Sequence, residues 1–562
     1  MKVATDGNTT PPWTSARTVP IKPSQAGTSQ AGTTPNRTAP NLNTPNLTTP
    51  GRDAPGRDAP GRDAPGRNAS GGNAPGRNAS GRPGRRRTAV PGRKRAVVKA
   101  VIGVLGVGAV ALFLLVGGTG LPADGKATLL VFAVAVAAWV FTGLDDTYVA
   151  LSAALLLVLL GVLGGDELFG ALGGDTIWLL IAAFVLAAGV GATGLPARVA
   201  VGLVARARSV RQLAHLVTVA LVLTAFAVPA TSGRAALVLP VFLALAKGLA
   251  DRPRVVRALS LLFPTVILLS AVATLIGAGA HLITSHLLLT ATGAGIGFGQ
   301  WLLLGLPLAV ISSHAAAEVV LLLFTRRSDR VRRLRVDADR LGRLANAPRS
   351  GHLEPAERRA LIVLGLASAA WICEPWHGVP AAVVALAAAL VITSPKLGTV
   401  ALGPALAGVP WSLLLFMAAT AALGTALTGS GAAAWLTGNM AGLGGGDLVF
   451  LAAVVGVSTA AHLLVQSRSA RSSVLVPVLI PLAAALGLNP AAVAFVSTAA
   501  AGFCHTMPSS AKPVAIFAAV PGTATYIRSD LLKLSALLAP LNAALVLGFA
   551  LVVWPHLGLP LR

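Results

Sequence analysis

The sequence predicts an all-α integral membrane protein of two inverted repeats, with about ten or eleven spans, two re-entrant hairpins and broken helices. Three observations predict it. Only 12% of the 562 residues are charged while 54% are hydrophobic, whereas a water-facing surface draws on about a quarter charged residues. Hydrophobic runs near the ~20 residues that cross a bilayer follow one another from Val97 onward. Four of these runs are interrupted, and the break of one lies on the break of another at a spacing of 237 residues.

Residues 1–96 have no core-forming content. They are rich in Pro, Gly, Thr, Asn and Arg, and Gly51–Ser80 repeats a five-residue unit, GRDAP three times and then GRNAS, GGNAP, GRNAS. Such a segment cannot bury enough apolar area to offset its ordering entropy, which predicts a disordered, basic cytoplasmic tail. It is too long and polar for a signal peptide. The first transmembrane half then occupies 97–325, an Arg-rich cytoplasmic linker 326–358, and the second half 359–562.

The net charge of +25 sits largely in the tail and the linker. Residues 1–97 carry 16 Lys and Arg against 4 Asp, and residues 326–359 carry 11 Arg against 5 acids. Neither segment interleaves aromatics with its basic residues, so no nucleic-acid partner is expected. Both abut apolar spans and serve as anchors beside the lipid bilayer. Cys373 and Cys504 lie in apolar stretches and imply no disulfide framework. The Ala-, Gly-, Pro- and Arg-rich usage suits a GC-rich bacterial genome and hence the inner membrane of a bacterial cell.

Uninterrupted spans are expected near 97–116, 127–141, 148–163, 177–194, 301–324, 361–371, 379–392, 411–427 and 531–553. The run 213–249 breaks at Pro229–Arg234, 258–289 at Gly277–His281, 448–486 at Gln466–Arg471 and 491–520 at Pro508–Pro513. Irregular backbone at membrane depth survives only where protein or a watery cavity satisfies its polar groups. Four breaks therefore imply an internal polar cavity. With Lys and Arg kept inside, the N-terminus is cytoplasmic and the end after Trp554 external.

An offset of 237 residues places Thr193-Gly194 on Ser430-Gly431 and, without a gap, Pro240 on Pro477. Within that window ATSGRAALVLP (Ala230–Pro240) lies on SRSARSSVLVP (Ser467–Pro477). An odd number of crossings between the copies makes them inverted, the arrangement of alternating-access transporters.

The order TIWLLIAAFVLAAGVGATGLPAR, ATSGRAALVLPV, ATLIGAGAHLI, then WSLLLFMAATAALGTALTGSGAAAWL, SRSARSSVLVPV and CHTMPSSAKPVAIFAAV resembles the divalent anion/sodium symporter family, sodium:sulfate and sodium:dicarboxylate permeases, over nearly everything but the tail. The resemblance implies a homodimer that carries a small anion such as a dicarboxylate, citrate or sulfate. It also implies that Ser-Asn-Thr hairpin tips and Thr-Pro-Pro-Asn type turns hold the anion and sodium. The tip positions here are Thr231, Ser232, Gly233 and Arg234 in the first half, and Ser467, Arg468, Ser469 and Arg471 in the second. The turn positions are Gly277, Ala278 and His281, and Ser510, Ala511, Lys512 and Pro513.

The tip and turn Asn side chains are missing at these positions, which predicts weak or absent sodium coupling and no other cofactor or metal. In their place stand cations. Ser232 and Ser469 are expected to N-cap the second arm of each hairpin, with Arg234 and Arg471 two residues later. An Arg near a helix N-terminus opposes the helix dipole, so an anion should offset it, and its fork of donors suits carboxylate or sulfate. Arg468 and Lys512 would add two further fixed charges. His281, Glu318, His462 and His505 are intramembrane titratable groups and hence candidates for proton coupling.

Enzyme readings are poorly supported. Gly444-Gly445-Gly446-Asp447 lacks the Tyr-Asp partner of an intramembrane aspartyl protease, and Ser458 with His462 only echoes a rhomboid. No HExxH, P-loop or clustered Cys/His motif occurs. A secondary anion transporter is the expected function, with a passive anion channel as the rival, since static basic residues lining a pore also select anions.

Overall fold

The structure, a computed structural model, describes residues 91–562 except 335, 346, 348–350, 441–445 and 519; the expectation for residues 1–90 lies outside the described residues. All elements described are helical. The first half comprises α1 (Pro91–Val116), α2 (Ala123–Phe141), α3 (Asp146–Leu159), α4 (Gly165–Gly170), α5 (Asp175–Ala192), α6 (Leu195–Val204), α7 (Val210–Ala227), α8 (Thr231–Gly248), α9 (Pro253–Leu269), α10 (Gly279–Thr292) and α11 (Phe298–Phe324). In the linker lie α12 (Arg327–Val331) and α13 (Ala338–Leu344). The second half comprises α14 (Pro355–Ile372), α15 (Glu374–His377), α16 (Ala381–Ile392), α17 (Leu402–Ala407), α18 (Trp411–Gly429), α19 (Ala432–Met440), α20 (Asp447–Ala460), α21 (Arg468–Ala485), α22 (Pro490–Ala500), α23 (Lys512–Ala518) and α24 (Arg528–Gly548). Among the described residues seven stretches are long and apolar enough to cross a membrane, and six shorter apolar helices accompany them. α1 opens six residues before Val97, inside the segment expected to be tail.

Local sequence sets the helix starts. The Asp145 carboxylate accepts from Thr147 N and Tyr148 N to open α3, and Ser209 Oγ accepts from Gln212 N to open α7. Asn489 caps α22, whose first residue is Pro490, a position where a missing N–H costs nothing. The kinks expected after α5 and α18 fall on Gly194 and Gly431, both left-handed with φ of 72° and 75°.

The repeat is visible in the element starts. α4, α6, α7, α8 and α9 begin at 165, 195, 210, 231 and 253; α17, α19, α20, α21 and α22 begin at 402, 432, 447, 468 and 490, each 237 later. The four breaks stand where the interrupted runs predicted them. Three of them begin well before the expected residue: α9 ends at Leu269 and gives way to 3-10 turns at Ser270–Ala273 and Leu275–Gly277, α20 ends at Ala460 and gives way to one at Ala461–Leu463, and α22 ends at Ala500. Leu-Leu-Ser-Ala-Val-Ala-Thr-Leu-Ile carries no charge, Gly or Pro and only two hydroxyls, so hydropathy alone does not mark where its backbone tightens.

Contacts establish the topology. Both membrane-surface ends of the first hairpin touch the Arg-rich linker, through Leu334 N to Arg208 O at 2.9 Å and Arg252 Nη2 to Arg333 O at 3.2 Å. The corresponding ends of the second hairpin touch the C-terminus, through the bidentate Arg562–Asp447 pair and Asn489 N to Leu561 O at 2.7 Å. Each hairpin therefore enters and leaves on one side. α1 carries the chain from its basic N-terminal end to the opposite side, where α2 begins, whereas α14 begins beside the basic linker. These counterparts run in opposite directions, as inverted repeats require.

The halves also interlock. At one end of α2 a Cβ on Gly125 would lie 3.0 Å from the Ser430 carbonyl, and at the other Trp139 meets Phe416, so α2 packs antiparallel on α18 of the other half. α14 does the same to α5: Arg198, just past α5, pairs with Glu357 in the first turn of α14. Gly189 lets α5 approach α16, since a Cβ there would sit 2.6 Å from Ile392 Cγ1.

Candidate functional site

The hairpin tips are short extended links between helix ends. In the first, Ala230 (φ −171°, ψ 138°) precedes α8 and offers no side-chain cap. In the second, Ser467 caps α21 by accepting from Ala470 N at 3.2 Å. This corrects the capping expectation: Ser232 and Ser469 are the second residues of their helices, because each helix opens at the first residue after the extended one. Arg234 and Arg471 consequently stand fourth, with their backbone N–H groups already bonded to Ala230 O and Ser467 O.

The two arginines occupy equivalent positions and differ in partners. Arg234 is fully buried and its guanidinium donates to Thr224 Oγ1 at 3.0 Å, Ile267 O at 3.0 Å, Leu221 O at 2.6 Å and Ser270 Oγ at 2.7 Å. This guanidinium is spoken for by protein oxygens, contrary to the expectation of an anion ligand. Arg471, 1% exposed, donates only from Nη1, to Ala501 O at 3.0 Å; its Nε and Nη2 are buried without a partner. Arg468 donates from Nη2 to Leu268 O at 3.3 Å, and its Nε and Nη1 are likewise buried and unpartnered. Buried guanidinium donors left unmade are costly, and a ligand anion satisfies them.

The surroundings of the second tip favour negative charge. Arg468 reaches across to the end of α9, and its Nη2 lies 2.5 Å from where a Cβ on Gly502 would stand. The N-terminus of α10 meets that of α21, since a Cβ on Gly279 would lie 3.1 Å from Ser469 Oγ. Two helix N-termini, both on helices of fourteen residues or more, thus point at one place. His505 is fully buried within electrostatic reach of Arg468 and Arg471; its Nδ1 accepts from Cys504 N at 3.3 Å and its ring also faces the Thr265 backbone.

His281 belongs to the same neighbourhood: it stands on the first turn of α10, stacks on Trp301 with centroids 4.9 Å apart and is held by Thr274 O through Nδ1 at 3.0 Å, with Nε2 unpartnered. Gly277 closes the 3-10 turn where a Cβ would strike Ala271 O at 2.2 Å, and Ala278 is the extended residue before α10. Ser510 Oγ accepts from Met507 N, and Pro513 is buried in the first turn of α23. Thr231, Ser232, Gly233 and Ala511 lie partly or fully open to the space beside the tips.

Three expected members lie outside that cluster of buried unpartnered donors, although His462 is within electrostatic reach of Arg471. Lys512 is exposed, and the acid within its electrostatic reach is Asp146, which also sits beside Ser467. His462 is satisfied by Thr459 O and by Thr506 Oγ1 at 2.7 Å. Glu318 bonds to Arg211 and His215, the latter 2.8 Å from His314; Arg211 opens α7 some 17 residues before its break, about 25 Å along a helix. Sequence reasoning missed Asp146, which approaches the tip from another helix, and the pair Thr224 and Ser270. A signal for that pair exists at the offset of 237, where the second half has Ala461 and Met507.

A sodium ion is disfavoured at the two hairpin tips. At the first the converging oxygens are engaged by Arg234, and at the second the guanidinium groups of Arg468 and Arg471 outnumber the one carboxylate beside Ser467, that of Asp146. Among the described residues no group of His, Cys, Asp or Glu could hold a metal ion.

No curated protein matches the chain. Among solved structures it is similar to the YdaH transporter of Alcanivorax borkumensis, a protein of unusual topology, at 19% identity over 71% of this chain and 91% of that one, with a TM-score of 0.48. The family model described as citrate transporter matches residues 136–500, from within α2 to the end of α22. That span is well over half of the chain and takes in both hairpins. The chain is therefore a polytopic membrane protein of the citrate transporter family.

Proposed function

We propose that this protein is a secondary transporter that moves a small carboxylate anion of the citrate type across the cell membrane by alternating access, N-terminus inside and without sodium. The observation that carries the reading is Arg471, buried at the convergence of the α10 and α21 N-termini with Nε and Nη2 unpartnered. Its fork and the free donors of Arg468 supply planar, bidentate and monodentate donors of the kind a carboxylate accepts. The anion neutralises charges that are otherwise costly at membrane depth. Inverted hairpins that open from opposite sides supply the two-sided access a carrier needs.

The space that receives the anion depends on Gly279. A valine there would push against Leu413 Cδ1 and Ser469 Oγ, already 3.0 and 3.1 Å from a bare Cβ. Gly279→Val is expected to abolish uptake while leaving membrane insertion intact; wild-type uptake would place the anion elsewhere.

Access is tested with single cysteines in a Cys373→Ser, Cys504→Ser background. Ser232→Cys is expected to react with an impermeant thiol reagent from the cytoplasmic side and Ser469→Cys from the outside, each protected by the opposite access state. Labelling of both from one side would contradict alternating access by inverted hairpins and favour a one-way pore.

A further inference from the structure

Arg234 lies within electrostatic reach of Arg468, but its guanidinium is turned to protein oxygens, and it is the most completely coordinated cation among the described residues. Two carbonyls and two hydroxyls meet its guanidinium, at 2.6 to 3.0 Å. Both hydroxyls direct their own protons away, Thr224 Oγ1 to Leu221 O at 2.6 Å and Ser270 Oγ to Val266 O at 2.5 Å. All four groups therefore act as acceptors toward Arg234. Leu221 lies in the last two turns of α7 and Ile267 in the last turn of α9, the ends at which a helix carries partial negative charge. None of the ion pairs described involves Arg234.

A dry cage of neutral oxygens where helix C-terminal ends converge is the donor set by which broken-helix carriers hold a monovalent cation. We propose that Arg234 is a tethered cation that permanently fills this cage, locking the first hairpin to α9 so that this half needs no dissolved ion. The second half shows the cage undone. At the same offset Thr224 becomes Ala461 and Ser270 becomes Met507, and Arg471, left with one carbonyl, keeps its donors free. One repeat thus carries a resident cation while the other holds the ligand, from the same arginine position. The proposal stands independently of the transported anion.

Thermal unfolding of the purified full chain tests it without any substrate. The wild-type midpoint is expected to be the same in sodium, potassium and choline chloride at equal ionic strength. Arg234→Ala is expected to unfold several degrees lower in choline and to recover part of that loss with millimolar guanidinium or with sodium, ions that can enter the vacated cage. A wild-type midpoint raised by sodium, an Arg234→Ala protein as stable as wild type in choline, or a loss that no cation restores would each overturn the proposal. If Arg234→Ala cannot be purified, Arg234→Lys and Arg234→Gln decide: the lysine variant is expected to fold and the glutamine variant to fail. Equal folding of the two would show that packing volume, not charge, holds the cage.

Discussion

Arg471→Ala is expected to raise the half-saturating citrate concentration for uptake by about ten- to a hundred-fold, the equivalent of losing a charge-assisted hydrogen bond worth about 1.5–3 kcal/mol. The direction follows from Arg471's environment. Its guanidinium has one protein partner, Ala501 O, and two buried nitrogens with none, so what alanine removes is chiefly contact with the ligand. Arg471→Lys keeps a point charge and loses the planar fork, and it is expected to fall between wild type and alanine. The protein should remain folded in both variants, since the cap on α21 comes from Ser467. Uptake kinetics in proteoliposomes check this, and unchanged half-saturation in Arg471→Ala would remove Arg471 from the site.

Glu357→Gln is expected to cost about 3–5 kcal/mol of stability, because it breaks a buried ion pair and leaves one partner uncompensated. Glu357 is 1% exposed and accepts from Arg198 and from Glu354 N at 2.8 Å; Arg198 is 14% exposed and also reaches Gly351 O at 2.6 Å and His352 O at 3.1 Å. The pair ties the start of α14 to the kink after α5, across the boundary between the halves. A thermal midpoint close to wild type would show that water or the neighbouring carbonyls replace the carboxylate at little cost.

Much of the fold was legible because membrane insertion makes hydropathy nearly sufficient. Each uninterrupted run became a helix, and each interruption became a break, because Pro229, Gly277, Ser467 and Pro508 sit where the helical ladder cannot continue or can be replaced by a cap. The constant offset of 237 read from Pro240 and Pro477 reappears in element starts that share no obvious sequence, such as Asp447 and Val210. Single positions were harder. Placing the caps on Ser232 and Ser469 missed by two residues because serine propensity does not fix where the extended backbone ends. The different fates of Arg234 and Arg471 could not follow from their matching neighbours: they depend on hydroxyls 10 and 36 residues away, present in one repeat and absent from the other. Charge in the neighbourhood likewise came from outside the hairpins, as Asp146 beside Ser467 illustrates.

Accumulation of labelled citrate in proteoliposomes, in sodium-free medium with an outward gradient of unlabelled citrate, tests the central claim most directly. Wild-type protein is expected to concentrate label above the bath, and the Arg468→Ala, Arg471→Ala double variant to leave it at background while still inserting. Label that only equilibrates with the bath through the wild type, or a double variant that accumulates as wild type does, would contradict the account.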